Sequence, residues 1–277
     1  MARIVKPEQY AAKRAEILNA ASRLMLSKGY EHMSIQDILG EVRISSGAFH
    51  HYFASRSALL EAFIEQIKEE SGKPLRQLID DPALSAREKF QGFFDTLDRL
   101  RMEHKAEVVR IGRVWYDESN AVVRLRVTEA IAKQRAQLLV EIVRQGIEEG
   151  SFVVTYPDYA GEVIVTLLQA MEDRHAQLLF ALDQTRDNDQ RLIEEIVTIH
   201  AIYMDAIERV LGMPTQTFSR TNAERVQFWV EAIREDDQES ISRKGPETGT
   251  QYTLHIPSAM PHYPAEGMGN QKREKRS

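Results

Sequence analysis

Apolar positions recur along this chain at three- and four-residue intervals, and only one short run is strand-like. Ile17, Leu18, Ala21, Leu24 and Met25 share one helical face that ends at Gly29. Ile35, Ile38, Leu39 and Val42 mark a second, short helix behind Ser34, and a third fits between Ser45 and Tyr52. Behind Ser55 a longer stripe begins at Leu59, Leu60, Phe63, Ile64 and Ile67, and the run SGKP at 71–74 is expected to end it.

The remainder reads as helix after helix. Phe90, Phe93, Phe94, Leu97 and Leu100 define one; Val108, Ile111, Val114 and Trp115 a shorter one; Ile131, Leu138, Leu139, Ile142 and Val143 a long one. The strand-like FVVTY at 152–156 lies between a glycine and Pro157 and is expected to be an extended connector. Two long, strongly apolar helices follow. The first, about 158–184, carries Ile164, Leu167, Leu168, Met171, His175, Leu178 and Leu179. The second, about 190–211, carries Ile193, Ile196, Val197, His200, Tyr203, Met204 and Ile207. Their apolar surface is wider than one packing face needs, so the dimer interface of a homodimer is assigned to Leu168, Ile193, Ile196, Val197, His200, Tyr203, Met204 and Ile207. Val226, Trp229, Val230 and Ile233 suggest one more helix, and beyond 236 Pro, Gly, Ser and charges predict a disordered tail. The fold class is all-α: a three-helix head over 1–56, a helical body over 57–235, and a tail over 236–277.

Composition narrows the function classes. The chain has no cysteine, which removes disulfides, thiolate chemistry and cysteine-based zinc sites. No stretch is apolar for long enough to span a membrane and the first residues lack a signal-peptide core, so the expected location is cytoplasmic. The net charge of −6 hides an asymmetry. Residues 1–56 hold eight Lys or Arg against five Asp or Glu, whereas the rest holds 28 against 37. A basic head on an acidic body suits a head that meets phosphates.

Two short helices across a tight turn let one lie in the DNA major groove while the other braces it. Ile38, Leu39, Ile44, Phe49 and Phe53 are spaced to pin the third helix, which leaves Ser46, Gly47, Ala48 and His50 near its outer face. Small residues permit close approach to base edges, a histidine nitrogen can meet a base or phosphate, and Arg56 adds a fixed charge. Ser34 and Ser55 place hydroxyls at helix N-termini.

Residues 34–59, SIQDILGEVRISSGAFHHYFASRSAL, resemble the DNA-binding signature of tetracycline-repressor (TetR) family transcriptional regulators. The match runs from Ser34 and Ile38 through Ile44, Ser45, Gly47 and Phe49 to Tyr52, Phe53 and Arg56. Three positions depart from it: Arg43 replaces the usual turn glycine, Ala48 the threonine and His50 the tyrosine, so no base preference carries over. The resemblance implies double-stranded DNA as partner, read as a palindrome by a homodimer. The contact set is Ser34, Ser45, Ser46, Gly47, Ala48, His50, His51, Tyr52 and Arg56. It also implies two C-terminal helices in a dimeric four-helix bundle and a small-molecule effector site in the body, placed at Phe93, Leu97, Arg110, Trp115, Tyr116, Met171 and His175. The implied function is a repressor released by its effector; an activator or ligand-independent regulator is the alternative, and an all-α enzyme the reading from another class.

Other chemistry is weak. His50 and His51 are adjacent and point about 100° apart on a helix, which spoils metal chelation. Glu172 and His175 have the Glu-x-x-His spacing of di-iron bundles but no second copy. His175 and His200 lie in apolar stripes, as core or interface residues or as pocket groups. No phosphate loop, nucleophile elbow or metalloprotease motif occurs, so no catalytic residue, cofactor or metal is assigned.

Overall fold

Serine side chains start four helices of the N-terminal half. Ser34, Ser45, Ser55 and Ser85 each accept a hydrogen bond from the backbone N–H three residues on, satisfying a donor the helix cannot. Each such cap contributes about 1 kcal/mol. The computed structural model describes residues 7–182 and 187–242, and every regular element among them is helical. In order these are α1 (Pro7–Lys28), α2 (Ile35–Val42), α3 (Ser46–Tyr52), α4 (Arg56–Ile79), α5 (Ala86–Glu103), α6 (Lys105–Trp115), α7 (Ala121–Glu148), α8 (Pro157–Phe180), α9 (Asp189–Val210) and α10 (Ala223–Ser242). A single 3-10 turn, Glu118–Asn120, joins α6 to α7, and FVVTY is the irregular connector between α7 and α8.

One core lies under the head. Ile17, Leu18, Ile38, Phe49 and Phe53 pack there with Leu59, Leu60 and Phe63 of α4, and with Trp115, Val123 and Val127 from beyond it. The apolar core therefore continues across the boundary expected at residue 56, and the first half of α4 belongs to the head. A second core joins α5, α7, α8 and α9 around Phe90, Phe93, Leu139, Ile164 and Ile207. Here α8 lies hard against α7: a Cβ on Gly161 would sit 2.1 Å from the Ala136 carbonyl oxygen, so only glycine admits this approach.

Two expectations are corrected. α4 passes through Pro74 to Ile79 instead of ending at 71–74. Proline removes one helix hydrogen bond, but Leu75 and Ile79 are buried in the body core, and that burial outweighs the break. The chain is also still helical beyond 236, because α10 runs to Ser242; the rest of the expected tail, 243–277, lies outside the described residues. α10 folds back on the body, with Val226 and Val230 packed against Ile193 and Ile196 of α9, and Ala232 and Ile233 against Val109 of α6.

Candidate functional site

The head presents α3 through its caps. Ser34 and Asp37 form a reciprocal box at the start of α2, with Asp37 N–H donating to Ser34 Oγ at 3.1 Å and Ser34 N–H to Asp37 Oδ2 at 2.8 Å. Arg43, in place of the usual glycine, still adopts the left-handed turn (φ 54°, ψ 50°), and Ile44 N–H closes it on the Leu39 carbonyl at 3.1 Å. A non-glycine residue at that φ is strained by about 1 kcal/mol or more. Ser45 then caps α3 through Ala48 N–H at 3.2 Å, and Phe49, fully buried, holds the helix from beneath. Ser46, Gly47, His50 and His51 are exposed together, and a Cβ on Gly47 would meet nothing within 4 Å. Arg43, which motif matching treats only as a departure, adds an exposed guanidinium beside them.

Three members of the expected contact set are already engaged within the chain. Ala48 is half-buried, and Tyr52 packs on Tyr10 with ring centroids 4.8 Å apart. Arg56 is the larger correction: its guanidinium lies 4.0 Å over the Tyr30 ring and donates to the Tyr30 carbonyl. It ties α4 to the end of α1 and is not an uncommitted charge.

In the body, α5, α6, α8, α9 and α10 line a partly open cavity of about 190 Å³. Leu97, Met171 and His175 of the expected effector set line it. The others do not: Phe93 is fully buried in the body core, Trp115 is in the head core, Tyr116 packs on Phe180 at 5.9 Å, and Arg110 is exposed. The dimer set is corrected more sharply. Leu168, Ile196, His200 and Met204 face the cavity, Ile193 packs on α10, and Ile207 is fully buried in the body core. Val197 and Tyr203 are half-buried within the same chain. The stripe is wider than one packing face needs because α10 and the segment before it cover it within the same chain. Tyr159, Val163 and Ile202 are the large apolar side chains that α8 and α9 leave exposed.

Beside His175, His200 and Glu172 the cavity wall carries Arg101, Arg220 and Arg225, which sequence periodicity did not single out. Arg101 pairs with Glu172; Arg225 reaches Asp98 at 2.6 Å; Arg220 reaches Asp205 at 2.5 Å and the fully buried Glu208 at 2.7 Å. His175 and His200 stack with centroids 5.9 Å apart and planes 13° apart. Burial, which penalises the charged form, holds both rings down to about 4; His200 and His175 stay neutral at ordinary pH. Behind the wall burial pushes Asp173 up to about 8, assisted by Glu172, and pushes Arg135 down to about 10. Among the described residues no group of three or more His, Asp or Glu side chains converges as a metal site, and no helix is long and apolar enough to cross a membrane.

α6 connects the two sites. Val108, Val109 and Gly112 line the cavity, and the same helix ends at Trp115 in the head core. Just beyond it Asn120, 3% exposed, donates to the carbonyls of Val114 at 3.1 Å and Met25 at 3.4 Å, and accepts Tyr30 N–H at 2.9 Å. Gly29, at φ 82°, lets the chain pass Ser119 so closely that a Cβ would lie 1.9 Å from its hydroxyl. Tyr30 in turn holds Arg56 at the start of α4. A lone asparagine between helices gave no signal in the sequence.

The comparisons with known proteins coincide with this division. Residues 17–63 match the family of bacterial regulatory proteins described as tetR family, and residues 113–185 match the tetracyclin repressor-like C-terminal domain. The chain belongs to the TetR family. It is 27% identical over 147 residues to the HTH-type transcriptional repressor KstR2 of Mycobacterium tuberculosis, covering 52% of this chain and 71% of that protein. It is 36% identical over 61 residues to the HTH-type regulator YvdT of Bacillus subtilis, covering 22% and 31%. The solved structure of RolR with its ligand resorcinol superposes with a TM-score of 0.45 at 23% identity, covering 87% and 99%. As a TetR-family member the protein is a DNA-binding transcriptional regulator.

Proposed function

We propose that the protein is a repressor that leaves its operator when a small effector fills the body cavity. The observation that carries this reading is α6, one helix that forms part of the cavity wall and ends in the head core. An occupant that shifts α6 shifts Trp115 and Asn120, and with them Tyr30 and Arg56 at the root of α4. The similarity to KstR2, a repressor by its description, supports repression over activation.

On DNA, Ser46, Gly47, His50 and His51 meet the major groove, with Arg43 on the flanking backbone. Ser34 and Ser45 act as caps that fix the two helices, and Arg56 acts as the tie to Tyr30. The functional unit is a homodimer on a palindromic operator, joined through Tyr159, Val163 and Ile202 on the outer faces of α8 and α9. A shift assay with the region upstream of the protein's own gene tests the first claim: a sharp, salt-sensitive complex is expected, and binding no tighter than to random DNA contradicts it.

A further inference from the structure

We propose that the cavity takes a small, electrically neutral ligand with an apolar ring body and at least one hydroxyl, the hydroxyl seated at His175 and Arg101. This rests on the reading of the cavity as the effector site and adds the chemistry of the occupant.

Size sets the first bound. At about 190 Å³ the cavity is little larger than the roughly 150 Å³ that accommodates benzene in an apolar protein interior, so it suits one ring or two fused ones. Phe94, Met171 and Trp229 supply apolar wall, and the parallel imidazoles of His175 and His200 supply a flat polar one.

Charge sets the second. Each arginine on the wall already faces a carboxylate of this chain: Arg101 has Glu172, Arg225 has Asp98, and Arg220 has Asp205 and Glu208. Asp95 accepts from Gln91 at 2.9 Å, and Arg135, behind the wall, is opposed by Glu172. A carboxylate ligand at Arg101 would have to share a half-buried arginine with Glu172 and repel it. An ammonium ligand would find Glu172 and Asp98 already paired with arginines, and only Asp95, exposed at the rim and bonded to the neutral Gln91 amide, without a cation. Either charge is expensive to bury without its own partner.

Hydrogen bonding decides among neutral ligands. Three buried wall atoms have no partner in the chain, Arg101 Nε, Arg220 Nε and His175 Nε2. The two arginine nitrogens can only donate. His175 Nε2 belongs to a ring that burial keeps neutral and that also bonds the Ile196 backbone. A neutral imidazole has one N–H and one lone pair, so with the N–H on that carbonyl Nε2 offers the lone pair. A hydroxyl both donates and accepts, so it complements each; a carboxylate only accepts, an ammonium only donates, and a bare hydrocarbon satisfies neither.

Isothermal titration calorimetry of the full chain with naphthol, naphthoate, naphthylmethylamine and naphthalene tests this. Naphthol is expected to bind about 10-fold or more tightly than the other three. His175→Leu should erase its advantage over naphthalene, while His175→Gln, which keeps a donor and an acceptor, should retain part of it. Equal or tighter binding of naphthoate or naphthylmethylamine overturns the proposal, as does an unchanged preference in His175→Leu or no binding by any probe. Operator release by naphthoate would remove this ligand class and leave the cavity as effector site. Preferential naphthol binding with no effect on the operator would keep the ligand class and remove the effector reading.

Discussion

The head and the body are built from the same amphipathic helix and use its polar side in opposite ways. In the head, small and polar residues of α3 face outward while Phe49 and Phe53 hold the helix from beneath. In the body, polar groups turn inward: Arg101, Glu172, His175, His200 and Arg220 line a cavity, with Glu208 buried beneath. An outward polar face is satisfied by water until a partner arrives. An inward one must be satisfied by the chain or by an occupant, and where the chain leaves atoms unpaired an occupant alters the balance. The head is thus a fixed reading surface, and the body is the part whose energy depends on what it holds.

The contrast breaks most severely at Phe49. Phe49→Ala empties the support of α3 and should cost about 3–5 kcal/mol of stability, with operator binding lost; urea denaturation and a shift assay check both. A change of similar severity on the body is conditional on which face is struck. Val163→Asp with Ile202→Asp should leave folded monomers by light scattering, because both side chains are exposed on the proposed interface. Ile196→Asp should instead lower the melting temperature, since its side chain is buried inside one chain. Monomeric wild type at micromolar concentration would remove the interface altogether.

On the reading surface the effect shrinks. His50→Ala should leave the melting temperature unchanged and cost about 1–3 kcal/mol of affinity for the cognate operator, measured by anisotropy. Smaller still is the acid dependence of stability that the two body histidines carry. His175 and His200 titrate near about 4 in the fold against an ordinary 6.5, so unfolding takes up protons between those values. Their contribution is complete above pH 6.5 and is lost as pH falls towards 4. Asp173, raised to about 8, has the opposite slope and weakens the fold as pH rises towards that value. Replacing both histidines with phenylalanine should therefore flatten the melting profile on the acid side; an unchanged profile between pH 4 and 6.5 contradicts their neutral burial.

How much of this was legible in the sequence follows from the range of the forces involved. Ser34, Ser45 and Ser55 act on N–H groups three residues away, and Phe49 and Phe53 mark α3 as a pinned helix, so local pattern yields the head almost completely. Arg56 shows the limit, because its partner Tyr30 lies 26 residues away. In the body the stripes identify helices but not what each stripe faces. Ile193 and Ile196 satisfy a dimer and an α10 contact equally well by periodicity, and only the position of α10 decides. Glu172 stands out in the sequence only by its spacing from His175, and its partner Arg101, 71 residues away, comes to the same wall only in the fold.

The central claim is that the cavity and the head form one thermodynamic unit joined at Asn120 and Tyr30. Anisotropy of a labelled operator, titrated with the full chain with and without a saturating cavity ligand found by calorimetry, measures it directly. The ligand should weaken operator binding by about 5- to 150-fold. Asn120→Ala should shrink that factor while the ligand still binds. An operator affinity that is the same with the cavity filled and empty would contradict the account.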